Sequence, residues 1–274
     1  MSTLEKAYLK AMKISEDVED HEKKQLIEEA SEKLPLVTKK NSKDLADSRT
    51  GISQMEQAKN FTLKELQDKS LIYPGMKNST LLDRYRTLRT KLLSLSRDQN
   101  FVTLVTSVVP ESNSHLIAAN LAATFALDEA KTSMLIESNI RYPHLNDIFE
   151  MRESRGMIDF LENEEWESGE VLYKTGIPRL RFVPSGLPRE NSAEYFTTDK
   201  MSHFVRELVG RYPDRYPIIN APSIEDSADT RILIELCDMV VLVVPYGKCS
   251  DEEVMQACLA IGEDKLAGVV LDEF

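Results

Sequence analysis

The chain has 274 residues, 42% of them hydrophobic, enough to bury one full α/β core and leave residues for an appendage. Its formal charge of −12, with no Lys/Arg block, excludes phosphate-backbone binding as the main task, since that needs a concentrated positive face, so nucleic acid is not an expected partner. Cys237, Cys249 and Cys258 are odd in number and lack CxxC spacing or a nearby histidine pair, which argues against a disulfide framework or zinc site and fits a reducing cytosol.

At the N-terminus Leu4, Ala7, Tyr8, Ala11 and Met12 recur at helical spacing and predict a short amphipathic helix over 3–14. Residues 15–60 are rich in Lys, Glu, Asp and Ser, with weak periodicity apart from a possible helix at 21–33. We therefore divide the chain into an N-terminal helical and linker extension, 1–70, and a main domain, 71–274. There is no cationic start followed by an apolar stretch, and no apolar run reaches membrane-spanning length. The expectation is a cytoplasmic protein that meets the inner face of a membrane only through a partner.

The main domain opens on a helix capped by Asn78 or Ser79, with Leu81, Leu82, Tyr85, Leu88, Leu92 and Leu95 along one side. Short apolar runs follow at 101–106, 132–137, 180–184, 217–220, 239–244 and 266–271, separated by helical patterns at 116–127, 193–211, 228–236 and 251–261. Continuous Val/Ile/Leu runs without polar alternation indicate strands buried on both faces. The predicted fold class is α/β, a mostly parallel sheet covered by helices on both faces.

In such a sheet ligands bind at the carboxyl ends of the strands. The first strand runs through Thr106-Ser107 into Pro110-Glu111-Ser112-Asn113-Ser114-His115 and then an Ala-rich helix, the layout of a phosphate-binding loop. Its chemistry is missing. Such a loop needs glycines so that backbone N–H groups converge on phosphate, a lysine for the terminal phosphates and a hydroxyl for magnesium. No glycine lies between Ser107 and His115, and Glu111 places an anion where phosphate would sit.

At these residues the sequence resembles the bacterial tyrosine autokinases (BY-kinases) of exopolysaccharide systems, relatives of the MinD/ParA-type P-loop ATPases. Thr106-Ser107, Pro110 and Asn120-Leu121-Ala122 match the flanks of the family loop, in which Glu111 to His115 replace Gly-Glu-Gly-Lys-Ser/Thr. The second family segment resembles L-L-V-D-A-D-x-R-x-P. Here Arg141 and Pro143 match, Glu137 keeps a carboxylate one methylene further out, and Asn139 replaces the second aspartate. The third resembles V-I-I-D-x-P-P, and Asn220 stands for its aspartate, an amide being a weaker ligand for a hard cation. Asp83, Arg86 and Arg89 resemble the E-x-x-R-x-x-R oligomerisation motif, with a solvated helix face paired within the chain as the other reading. The family's C-terminal tyrosine cluster has no counterpart after Tyr246.

Tyr73-Pro74-Gly75, the stretch 173–188 and RYPDRYPIIN at 211–220 look most like the PEP-CTERM/exosortase branch, which implies a separate cytoplasmic subunit working with a membrane polysaccharide co-polymerase. The resemblance thus implies a catalytically inactive kinase relative, a scaffold or regulator bound to that co-polymerase or to an active kinase paralogue, with a homo-oligomer as a further option. No metal and no cofactor are expected. Two other readings fit the same residues. One is a residual ATP/Mg site in which Glu137 holds the metal and Ser112, Asn113 or Ser114 bonds phosphate; the other is a ParA/MinD-like positioning protein. Trp166, in an acidic stretch, reads as a partner anchor or a loop aromatic, and His115, His144 and His203 show no metal-ligand spacing.

Overall fold

The computed structural model describes residues 60–96, 99–151, 154–187, 189 and 192–273, so the expected helices at 3–14 and 21–33 lie outside the described residues. In chain order the elements are α1 (Leu63–Asp68), α2 (Ser79–Leu95), β1 (Thr103–Ser107), α3 (Ser114–Ala126), β2 (Thr132–Glu137), α4 (His144–Ile148) and α5 (Met157–Glu162). A single 3-10 turn at Ser168–Val171 leads into β3 (Tyr173–Lys174) and β4 (Leu180–Val183). Then come α6 (Ser192–Phe196), α7 (Asp199–Gly210), β5 (Arg215–Asn220), α8 (Ala228–Glu235), β6 (Met239–Pro245), α9 (Asp251–Ile261) and β7 (Leu266–Asp272).

The strands form one sheet in the order β3-β4-β2-β5-β1-β6-β7, parallel throughout except for the β3–β4 pair. Every residue of β1 and β2 is buried, as the unalternating apolar runs require. Side chains then alternate between two cores. Leu104, Met134, Ile136, Ile219 and Leu242 face one side, where α5, α7, α8 and α9 pack. Val105, Leu135, Ile218, Val241 and Val243 face the other, against α3. Five alanines in α3 (Ala118, Ala119, Ala122, Ala123 and Ala126), all buried, let that helix lie close on the sheet while α2 packs outside it.

The structure moves the start of the body. Residues 61–70, assigned by composition to the extension, pack on the domain: Leu66 is buried, Phe61 N–H donates to Gly176 O at 2.9 Å, and Thr62 and Glu65 form a capping box on α1. The single helix expected at 193–211 is two. Thr198 accepts a hydrogen bond from Met201 N–H at 3.2 Å and donates its hydroxyl proton to Tyr195 O at 2.8 Å, so it starts α7 where α6 would otherwise continue. Elements α4, α5 and β3 are too short to register as a period. Trp166 is half-buried against the first core with the Arg155 guanidinium 4.8 Å from its ring centroid. Among the described residues no helix is long and apolar enough to cross a membrane.

One close approach fixes α5. Met157 and Ile158 N–H groups donate to Pro184 O and Ser185 O at 2.8 and 3.1 Å, and a Cβ on Gly156 would run into Gly186 N and Pro184 O. Backbone atoms on both sides leave no way to relax. Gly156→Ala is therefore expected to lower stability by about 2–4 kcal/mol, measured as a lower urea midpoint.

Candidate functional site

The carboxyl ends of β1, β2, β5, β6 and β7 meet around the loop between β1 and α3. Pairing aligns Ser107 with Val243 and Pro245 with Asp272, so the end of the last strand stands beside this loop. The consequence is direct. Asn113 N–H donates to Asp272 Oδ2 at 2.9 Å, and Asn113 Nδ2 donates to the same carboxylate at 3.2 and 3.4 Å. Asp272 is buried, and it sits at the N-terminus of a 13-residue helix, where exposed N–H groups favour an anion.

Two other loop donors are also used inside the chain. Ser112 N–H donates to Pro110 O at 2.8 Å, and Ser114 N–H to Ser112 Oγ at 3.3 Å. Lys248, carried on the turn after β6, donates from Nζ to Glu111 O at 3.1 Å. That turn needs Gly247, whose φ of 71° lies in the left-handed region. The Glu111 side chain is exposed.

His115 stacks on His144 with ring centroids 4.7 Å apart. Burial, and then the neighbouring His144 ring, push the His115 imidazole down to about 4, against a smaller opposing pull from Asp272. The His115 ring is therefore neutral at neutral pH. Among the described residues no group of three or more His, Cys, Asp or Glu side chains is arranged to hold a metal ion.

Glu137 and Asn220 lie opposite each other at the ends of β2 and β5. Glu137 is fully buried. Its Oε1 accepts from Asn139 N–H at 3.0 Å and from Asn220 Nδ2 at 2.8 Å, while Oε2 accepts from Leu145 N–H at 3.0 Å in the first turn of α4. Burial outweighs these bonds and raises its carboxyl to about 8. Asn220 Oδ1 is buried with no hydrogen-bond partner. Asn139 accepts from Tyr142 N–H through Oδ1 at 3.1 Å, an Asx turn that shapes the β2–α4 connection. Ser138 holds the same corner, donating from N and Oγ to Asn220 O at 2.9 and 2.6 Å.

The structure thus brings Pro110, Glu111, Ser112, Asn113, Ser114 and His115 to one end of the sheet, with Glu137, Asn139 and Asn220 in a corner beside them. It does not keep the α2 residues together. Arg86 pairs with Asp83 at 3.2 Å on the exposed side of α2, whereas Arg89 Nη1 donates to Thr124 O at 2.8 Å in the last turn of α3. Sequence reading missed Asp272. It lies outside every loop motif, and only strand pairing shows where its carboxylate goes.

A strand, a tight loop and a helix at the centre of a parallel sheet are the arrangement of the P-loop fold found in ParA/MinD-like proteins. A plasmid partition protein from Borrelia burgdorferi matches it with a TM-score of 0.51 at 14% identity, over 63% of this chain and 78% of that one. No family model matches the chain. Its sequence is 28% identical over 193 residues to the tyrosine-protein kinase YwqD of Bacillus subtilis, covering 69% of the chain and 80% of YwqD. It is 24% identical over 186 residues to the succinoglycan biosynthesis transport protein ExoP of Rhizobium meliloti, covering 65% of the chain and 23% of ExoP. Among solved structures the chimerical protein CapA2B2 matches with a TM-score of 0.67 at 22% identity, over 84% of this chain and 98% of that one. The kinase domain of the Escherichia coli tyrosine kinase ETK gives 0.67 at 19% identity, over 80% and 82%. The chain is thus similar in sequence to proteins named as bacterial tyrosine kinases and similar in fold to their kinase domains.

Proposed function

We propose that this chain is a kinase homologue that has given up Mg-ATP phosphoryl transfer and works by binding. Its relatives include proteins named for tyrosine kinase activity and for succinoglycan biosynthesis and transport, which supports a place in exopolysaccharide assembly. The partner is a membrane polysaccharide co-polymerase, as in the PEP-CTERM/exosortase branch that the sequence resembles, or an active kinase paralogue. The chain itself works on the cytoplasmic side as scaffold or regulator.

One observation carries the reading: the N–H of Asn113, in the loop that would cradle phosphate, is bonded to the chain's own Asp272 carboxylate. A phosphate brought there meets a buried anion and no lysine at Ser114, so the donor set does not fit a nucleotide triphosphate. Glu137, which keeps a carboxylate, has both oxygens engaged by N–H donors and is held protonated near neutral pH by burial, a poor ligand for magnesium. Phosphoryl transfer depends on positioned metal and charge, and neither is provided.

Isothermal titration of the intact chain with Mg-ATP and Mg-ADP tests this, together with an autophosphorylation assay. No heat of binding up to about 1 mM nucleotide, near the weak end of the affinity scale, is expected. Micromolar binding with phosphate transfer would overturn it. The unpartnered Asn220 Oδ1 favours a second reading, a residual metal site beside Glu137. In that case nucleotide binds weakly and Glu137→Ala abolishes it.

A further inference from the structure

A groove of about 840 Å³ runs between α2, the first half of α3 and β7. Leu81 and Leu116 line it with Val270, all half-buried, and Leu271 is 40% exposed at its edge. Strand β7 is the sheet's last, and α2 flanks this face through its side chains, Lys91 Nζ lying 3.4 Å from where a Cβ on Gly268 would be. The α2 side of the groove carries Lys77, Arg84 and Lys91, whose side-chain cations have no carboxylate partner among the described residues. The surface is apolar below and cationic along one rim. It fits an amphipathic helix with acidic flanks.

The chain contains one such segment. In 21–34 Leu26, Ile27, Ala30 and Leu34 fall on one helical face, with four carboxylates against three lysines, and 15–20 just before them add four more carboxylates and no lysine. A helix of that length is about 20 Å long, as is the α2 wall from Asn78 to Lys91. The segment is also within reach. It joins the described chain at Asn60, one short helix away from Gln67 on the groove lip, and even as a coil the 25 intervening residues span about 28 Å. The stripe at 3–14 is the poorer match, because Lys6, Lys10 and Lys13 would meet a cationic rim.

We propose that residues 21–34 of the same chain seat in this groove as an amphipathic helix, with Leu26, Ile27 and Ala30 on its floor and the acidic flank against Arg84 and Lys91. The half-buried face of β7 is then shielded from within. This proposal is independent of whether nucleotide binds.

Hydrogen exchange on the intact chain reads it out. Leu26→Asp with Ile27→Asp should speed amide exchange in 266–272 and 79–91 about tenfold, equally at two protein concentrations about fiftyfold apart. Arg84→Glu with Lys91→Glu should do the same, and adding Glu28→Lys with Glu29→Lys to that pair should restore protection. Native-like urea unfolding of the described domain in the first variant separates undocking from unfolding. Unchanged exchange in the first variant overturns the proposal. So does protection that grows with concentration, which assigns the groove to a second copy.

Discussion

Glu137→Ala is expected to destabilise the protein by about 3–5 kcal/mol, seen as a lower urea midpoint at unchanged slope. The substitution leaves a buried hole and strips the acceptor from Asn139 N–H, Leu145 N–H and Asn220 Nδ2 at once. A residue kept only for catalysis would show the opposite pattern, little loss of stability with loss of activity. Glu137→Gln provides the finer test. The folded protein holds the Glu137 proton to about 8 while the unfolded chain releases it near 4.5, so the stability this gives at low pH is lost as pH rises through that window. His115 works in the other direction: held near 4 in the fold against 6.5 unfolded, it loses stability as pH falls. The two slopes oppose each other between 4.5 and 6.5, leaving Glu137 alone from 6.5 to 8. Wild type should therefore lose about 2 kcal/mol over that upper interval, at 1.36 kcal/mol per pH unit. Urea melts of Glu137→Gln across the same interval should be flat; a slope equal to wild type would assign the dependence to another group.

The second large effect is a gain. Glu111→Gly, Ser112→Glu, Asn113→Gly, Ser114→Lys and His115→Thr, combined with Asp272→Asn, should give an ADP Kd of about 10 μM where wild type shows none below about 1 mM. Five of the six changes remove a stated obstacle, and Ser112→Glu completes the loop sequence of the family it resembles. Asp272→Asn removes the anion bonded to the Asn113 N–H, the two glycines let the backbone close on phosphate, and the lysine provides the missing cation. Titration calorimetry of the combined variant and of Asp272→Asn alone separates these contributions. If the combined variant still binds nothing while folded, the loop is not the element that decides nucleotide affinity.

Much of the fold was legible because a parallel sheet writes itself in continuous apolar runs. Residues 132–137 and 251–261 have the expected bounds, and the remaining strands differ by one to two residues at an end. Short elements escaped since α4 and β3 hold too few residues to show a period, and α6 and α7 were merged because the Thr198 cap is a side-chain hydrogen bond within an otherwise helical pattern. In the site, the altered positions Glu111 to His115, Glu137, Asn139 and Asn220 could be found from spacing within each motif. What fills the loop could not. Asp272 is 159 residues from Asn113, and the contact depends on where β7 joins the sheet. The same limit applies to His115 and His144, and to Arg89, whose bond to Thr124 O crosses between helices.

The two ends of the sheet differ in a way that matters when the protein is concentrated or partly unfolded. At one end the antiparallel β3, two residues long, turns across β4 and leaves little for another strand to add to. At the other, Leu266 to Leu271 is a run of six uncharged residues rich in β-branched and aliphatic side chains, with no proline. Lys265 before it and Asp272 and Glu273 after it flank this run with charge. Aggregation should therefore start from a single edge, and a lysine introduced on its outward face is the place to improve solubility without touching the site.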